Sequence, residues 1–125
     1  MAMYGGGTVG RCGFLGSPMT TSQAICAMMA KEKLCLPIYL YSLIKSESEK
    51  IVRKYAVGGA QVNLSQQSIG KHLIVLPPFE IIQKFESLVD ELFANIDVLS
   101  TQSEKLSVLR DVLLPRLMSG ELKIN

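Results

Sequence analysis

The chain has 125 residues, 48% of them apolar, and a formal net charge of +2, enough for one small core with an appendage and too apolar for a disordered polar polymer. Lys31, Glu32 and Lys33 interrupt its most apolar region, so no run approaches the ~18–20 residues of a membrane span. The glycine-rich opening lacks the basic and hydrophobic segments of a secretory signal, and the expectation is a cytoplasmic protein without a membrane partner.

Charge is divided unevenly. Residues 1–76 carry Arg11, Lys31, Lys33, Lys45, Lys50, Arg53, Lys54 and Lys71 against Glu32, Glu47 and Glu49, a net of +5. Residues 77–125 carry five basic and eight acidic side chains, a net of −3. A basic part attracts a polyanion and an acidic part is repelled by one, so two segments are expected, a globular one over 1–76 and a helical one over 77–125. Cys12, Cys26 and Cys35 are an odd number without CxxC spacing, and His72 stands alone. Neither a disulfide framework nor a metal site follows, and small buried hydrophobes are the simpler role for the thiols. With no paired carboxylates in the globular part, no nucleophile elbow and no methyl-donor loop, no catalytic residue and no cofactor are expected.

In chain order, Gly5 to Leu15 reads as a flexible lead into a strand over about Thr8–Leu15. Arg11-Cys12 stands where a phosphate loop needs Gly-Lys-Ser/Thr. Gly16-Ser17-Pro18 is a turn, Met19 to Gln23 a polar segment, and Ala24–Ala30 a second strand. From Leu36 the period becomes helical: Pro37 suits a first helical position, and Tyr39, Leu40, Leu43, Ile44, Ile51, Val52 and Tyr55 share a side, with a break allowed at Ser46-Glu47-Ser48. Gly58-Gly59 ends that region. A nearly uncharged Gln/Asn/Ser stretch over 60–68 and a short strand His72–Leu76 follow.

From Pro78 to Leu114 the apolar residues keep a heptad register. Ile82, Val89 and Ile96 fall at a, with Ser103 and Arg110 after them, and Phe85, Leu92, Leu99, Leu106 and Leu113 fall at d. Polar residues at a fix register or partner at some cost in stability, or mark where the supercoil opens to water. A sustained seven-residue repeat predicts a left-handed supercoil against a partner helix. The pairing positions are therefore Ile82, Phe85, Val89, Leu92, Ile96, Leu99, Leu106 and Leu113. Pro115 should end or kink the helix, and a last turn, Arg116 to Met118, meets a glycine cap at Ser119-Gly120. The fold class expected is α+β, a small mixed domain followed by one long helix in an antiparallel coiled coil.

Several segments occur together in an order that resembles the specificity subunit of type I DNA restriction-modification systems. They are Gly7-Thr8-Val9-Gly10-Arg11, Gln23, Gly59-Ala60-Gln61-Val62-Asn63-Leu64-Ser65, Ile74-Val75-Leu76-Pro77-Pro78, the long helix, and Leu113-Leu114-Pro115-Arg116-Leu117-Met118-Ser119-Gly120-Glu121-Leu122. The resemblance implies a non-catalytic subunit of two repeats, each a target-recognition domain followed by a long helix, the helices packing antiparallel as a spacer. It implies double-stranded DNA as ligand, and methyltransferase (modification) and restriction subunits as partners. This chain looks like the rear part of one recognition domain plus its helix, for which a second copy would be the helix partner when the other repeat is absent. A shortened oligomerisation module without DNA reading is the alternative.

Base edges in a major groove are read by Gln, Asn, Arg and hydroxyl side chains, and phosphates are held by Lys and Arg. The expected base readers are Arg11, Thr20, Thr21 and Gln23 in one cluster and Gln61, Asn63 and Gln66 in another. The expected phosphate contacts are Lys45, Lys50, Arg53, Lys54 and Lys71.

Overall fold

The structure, a computed structural model, describes residues 1–59 and 62–122. Gln61 and the tail from 123 onward lie outside the described residues. Three helices follow one another: α1 (Pro37–Tyr55), α2 (Gln66–Gly70) and α3 (Phe79–Met118). The chain divides into two compact units, Met1–Val89 and Asp90–Asn125, so the opening turns of α3 belong to the N-terminal unit.

Among the described residues there is no strand. Thr8–Leu15, Ala24–Ala30 and His72–Leu76 were expected to be strands, and only two isolated antiparallel bridges occur, Ala2 with Ile25 and Val57 with Asn63. The fold is mostly helical, and the α+β expectation gives way. The reason lies in the pairing, because a strand exists only against a ladder of backbone partners. The three-residue strip Met1–Met3 collects those partners. The Ala2 N–H donates to the Arg11 carbonyl, the Gly10 N–H to Ala2, the Met3 N–H to Ala24, the Cys26 N–H to Met1 and the Leu64 N–H to Met3, all at 2.8–2.9 Å. Residues 5–11 instead form turns, with the Arg11 N–H donating to Thr8. In the segment 72–76, Leu73 and Val75 are 90% and 88% exposed, and no described residue makes a bridge to it.

The core of the first unit is the cluster Met1, Met3, Cys26, Ile51, Leu64 and Ile69, flanked by Val9, Ile44, Val52 and Tyr55. Ile51, wholly inaccessible, is its centre, and burying one such side chain contributes about 1.5–3 kcal/mol. α1 runs without a break at Ser46-Glu47-Ser48, because the Ser46 and Ser48 hydroxyls donate to the Leu43 and Lys45 carbonyls at 2.8 Å and leave the helix ladder intact. α2, which begins within the polar stretch 60–68 where no helix was expected, is short but well marked. Ser65 caps it by accepting from the Ser68 N–H at 3.0 Å. Leu64 before the cap and Ile69 at the fourth helical position both enter the core, the spacing of a hydrophobic staple.

α3 runs four residues beyond the expected Leu114, through Pro115. A proline so near the end forfeits only the bond that its N–H would have made to Asp111, and a single turn follows. Closure comes from Gly120, whose φ of +76° is the left-handed conformation, with the Gly120 N–H donating to Leu117 and the Leu122 N–H to Arg116.

The N-terminus of α1 has no cap of its own, since Leu36 offers no side-chain acceptor. Glu86 of α3 supplies it. Its two carboxylate oxygens accept from the Ile38 N–H at 3.0 Å and the Tyr39 N–H at 2.8 Å, where the helix dipole favours an anion. Beside this bond Phe85 meets Tyr39 edge-on at 5.4 Å, and Ile82 is wholly buried. Replacing a capping acceptor by Ala costs about 0.5–2 kcal/mol. Glu86→Ala is therefore expected to lower the urea midpoint by a corresponding amount, with Glu86→Gln intermediate because one oxygen remains. An unchanged midpoint for the Ala variant would show that the cap carries no stability.

Candidate nucleic-acid interface

α1 presents three faces. Ile44, Ile51 and Tyr55 turn to the core. Lys45, Ser48, Glu49, Val52 and Arg53, at i, i+3, i+4, i+7 and i+8, form a second stripe. With Val9, Gly10, Arg11 and Cys12 of the opening loop they line an open groove of about 620 Å³. The loop lies this close because residue 10 is glycine. Its φ is +85°, and a Cβ there would stand 2.5 Å from Val52 Cγ2 and 3.7 Å from the Ser48 carbonyl.

Three cations therefore share one groove: Arg11, expected to read bases, and Lys45 and Arg53, expected to hold phosphates. Arg53 donates to Glu49 at 3.0 Å, the Lys45 ammonium stands 5.5 Å from the Tyr41 ring centre, and Arg11 has no ion pair among the described residues. Burial pushes the Cys12 thiol up, opposed by the positive charges of the Met1 ammonium and Lys45. Burial, with Glu86 nearby, does the same to Cys35. Both thiols are thus protonated at neutral pH and poor nucleophiles. Among the described residues no cluster of His, Cys, Asp and Glu could hold a metal.

The other expected contacts are dispersed. Lys50 and Lys54 occupy the third face of α1, Lys50 bonded to Glu47 at 2.6 Å and Lys54 over the Tyr55 ring at 5.2 Å. Lys71 is exposed, and its carbonyl accepts from the Tyr55 hydroxyl. Thr20, Thr21, Gln23 and Gln66 are exposed. Asn63 exchanges backbone hydrogen bonds with Val57 at 2.9 and 3.0 Å, and its Oδ1 is buried without a partner. Of the helix-pairing set, Ile82 is buried and Phe85 engages Tyr39, Val89 and Leu113 are half-buried, and Leu92, Ile96, Leu99 and Leu106 are 57–65% exposed.

The close backbone approach expected of the opening glycines is met at Gly10, whereas sequence reasoning gave no role to Glu49, which pairs with Arg53 at i+4, to Glu86 or to His72, whose partners are distant in the chain. The His72 ring lies edge-on to Tyr55 at 5.8 Å, its Nε2 3.4 Å from Glu47 Oε2 and its Nδ1 buried without a partner. The i, i+4 spacing could have marked Glu49; no local signal marks Glu86 or His72.

No family model matches the chain, and no solved structure does. Two curated proteins are similar to it. Over 117 residues, 92% of this chain and 25% of the relative, it is 34% identical to the type I restriction enzyme HindI specificity subunit of Haemophilus influenzae. Over 87 residues, 69% of this chain and 20% of the relative, it is 38% identical to the type I restriction enzyme MjaIX specificity subunit of Methanocaldococcus jannaschii. These relatives define the class: the chain is a homologue of type I restriction enzyme specificity subunits. It spans a quarter or less of the length of those it matches, and the resemblance carried by its motifs stands. No helix among the described residues is long and apolar enough to cross a membrane.

The Glu47 cluster is testable by pH. The hydrogen bond from Lys50, and after it that from His72, hold the Glu47 carboxyl below its ordinary value of 4.5. A carboxyl with a depressed folded value adds stability that is present above 4.5 and is lost as pH falls from there through the folded value. The melting temperature of the parent should therefore exceed that of Glu47→Gln at neutral pH, and the gap should close on acidification below 4.5. A gap that persisted unchanged into strong acid would exclude the ionised carboxylate as its source.

Proposed function

We propose that this chain is part of the DNA-reading, non-catalytic component of a type I restriction-modification complex, the rear of one target-recognition domain joined to its spacer helix. The observation that carries this reading is the 34% identity to a specificity subunit over 92% of the chain. The chain works in the cytoplasm, takes double-stranded DNA as its ligand, and docks methyltransferase and restriction subunits along α3. Thr20, Thr21, Gln23, Gln61, Asn63 and Gln66 read base edges, and Lys50, Lys54 and Lys71 sit on phosphates. For Asn63 to do so, its side chain turns out of the buried position of its Oδ1.

The two kinds of contact separate in a titration. With a duplex selected from a random pool, Gln61→Ala or Asn63→Ala should weaken binding by about 1–3 kcal/mol on that duplex and little on a scrambled one. Lys54→Ala or Lys71→Ala should weaken both alike and lower the salt slope by about one ion. Identical responses from the two classes would remove base reading from this segment.

The second reading, an oligomerisation module, is favoured by the apolar stripe on α3, where Leu92, Ile96, Leu99 and Leu106 are more than half exposed. Covering four such side chains is worth on the order of 5–10 kcal/mol, and an antiparallel second copy of α3 would cover them when no other repeat is present. Sedimentation should then give a dimer for the parent and a monomer for the Leu92→Asp/Leu99→Asp variant. A folded monomer for the parent at high micromolar concentration removes the pairing. Salt-dependent DNA binding separates the two readings, because a module that reads no DNA releases no counterions.

A further inference from the structure

We propose that the groove between the Gly10–Cys12 loop and α1 is a clamp for the sugar-phosphate backbone of duplex DNA, in which Arg11, Lys45 and Arg53 each hold a phosphate and Glu49 sets the strength of the grip. This inference rests on the DNA-binding reading above and assigns it a place.

Several observations converge on this groove. Arg11, Lys45 and Arg53 come from a loop and from two turns of α1, yet line one open trough with Glu49 as the single carboxylate among its lining residues. Lys45 and Arg11 have no carboxylate partner among the described residues, so their charges are uncompensated. The field is felt locally: Lys45 and the Met1 ammonium both pull on the Cys12 thiol against the effect of its burial. Val9, Cys12 and Val52 complete the walls, and apolar walls beside charge raise the local potential by limiting water.

Spacing selects the ligand. Lys45 and Arg53 are eight residues apart, about 12 Å along a helix that rises ~1.5 Å per residue. A single small phosphate is too compact to engage both ends, whereas each strand of a duplex presents one charge per ~3.4 Å of axis. Arg11 on this account holds backbone, not the base edge expected of it, because the trough places it among phosphate-type cations. Phosphate contacts position a protein and carry no sequence information, so the clamp grips all sequences alike.

Glu49 has a defined part. Its carboxylate holds Arg53 at 3.0 Å and faces the incoming phosphates, so it competes with the ligand for the guanidinium and repels it. Glu49→Gln should tighten binding to any duplex by roughly two- to fivefold, the size of one exposed ion pair, with the melting temperature unchanged. Arg11→Gln, Lys45→Gln and Arg53→Gln should each weaken binding severalfold on selected and scrambled duplexes alike, lowering the slope of log affinity against log salt by about 0.9. The experiment titrates the full chain and its four variants with both duplexes between about 50 and 200 mM salt, with circular dichroism melts as the check on folding.

Tighter binding by Glu49→Gln, together with uniform losses in the three cation variants, supports the clamp. If the parent binds duplex and folded variants of Arg11, Lys45 and Arg53 match it in affinity and slope, the clamp is overturned while the DNA-binding reading stands. If the parent binds no duplex at the lowest salt, both fall. Displacement of the duplex by inorganic phosphate at matched ionic strength would make the trough a small-anion pocket and overturn the backbone assignment alone.

Discussion

The N-terminal unit is organised around α1, and α1 depends on a carboxylate that arrives from 47 residues further along the chain. A helix begins with N–H groups that no helical carbonyl can satisfy, and the residue that would ordinarily answer them here is Leu36, which has no acceptor to offer. The two Glu86 oxygens take two of those donors and also place a negative charge at the positive end of the dipole. Phe85 against Tyr39 and the buried Ile82 surround the bond with apolar contact. The opening turns of α3 are consequently part of the small unit's own structure, whatever the rest of that helix does.

With α1 held, its three faces divide the work. The face with Ile44, Ile51 and Tyr55 closes the core over the Met1–Met3 strip and over Leu64, just before α2, and Ile69 within it. The face with Lys45, Glu49 and Arg53 forms one wall of the trough, and Gly10 allows the loop to form the other. The face with Glu47, Lys50 and Lys54 carries an ion pair to Lys50 and a polar contact to His72. One helix thus joins packing, charge and backbone approach. The lysines and arginines of the N-terminal segment are distributed by this geometry, and their net charge alone does not tell which of them act together.

α3 carries two kinds of apolar residue that look alike in a heptad. Ile82 and Phe85 are satisfied within the chain's own N-terminal unit, whereas Leu92, Ile96, Leu99 and Leu106 remain largely in contact with solvent. It is on this exposed apolar area that the proposed pairing of α3 rests. It agrees with kinship to subunits of multi-component enzymes, and the chain matches only a quarter or less of each relative.

Local signals in the sequence were sufficient for the two long helices. Pro37 and the recurrent apolar spacing gave α1 to within a residue, and the heptads with Gly120 gave α3 and its cap. The kinship was legible too, because it is carried by short segments in a particular order. The staple around Ser65 was equally local, and α2 could have been read from it. What only the tertiary structure decided was which residues meet. Strands were expected at Thr8–Leu15, Ala24–Ala30 and His72–Leu76, but a strand is a relation between segments: the Met1–Met3 strip took up backbone groups of the first two in short, separate bonds, and no described residue bridges to 72–76. Arg11 came to line a trough with Lys45 and Arg53, and Glu86 became a cap, for the same reason. Helical periodicity is set by neighbours three and four residues away and can be read along the chain. Charge constellations and distant caps are set by contacts across tens of residues, which composition and spacing do not encode.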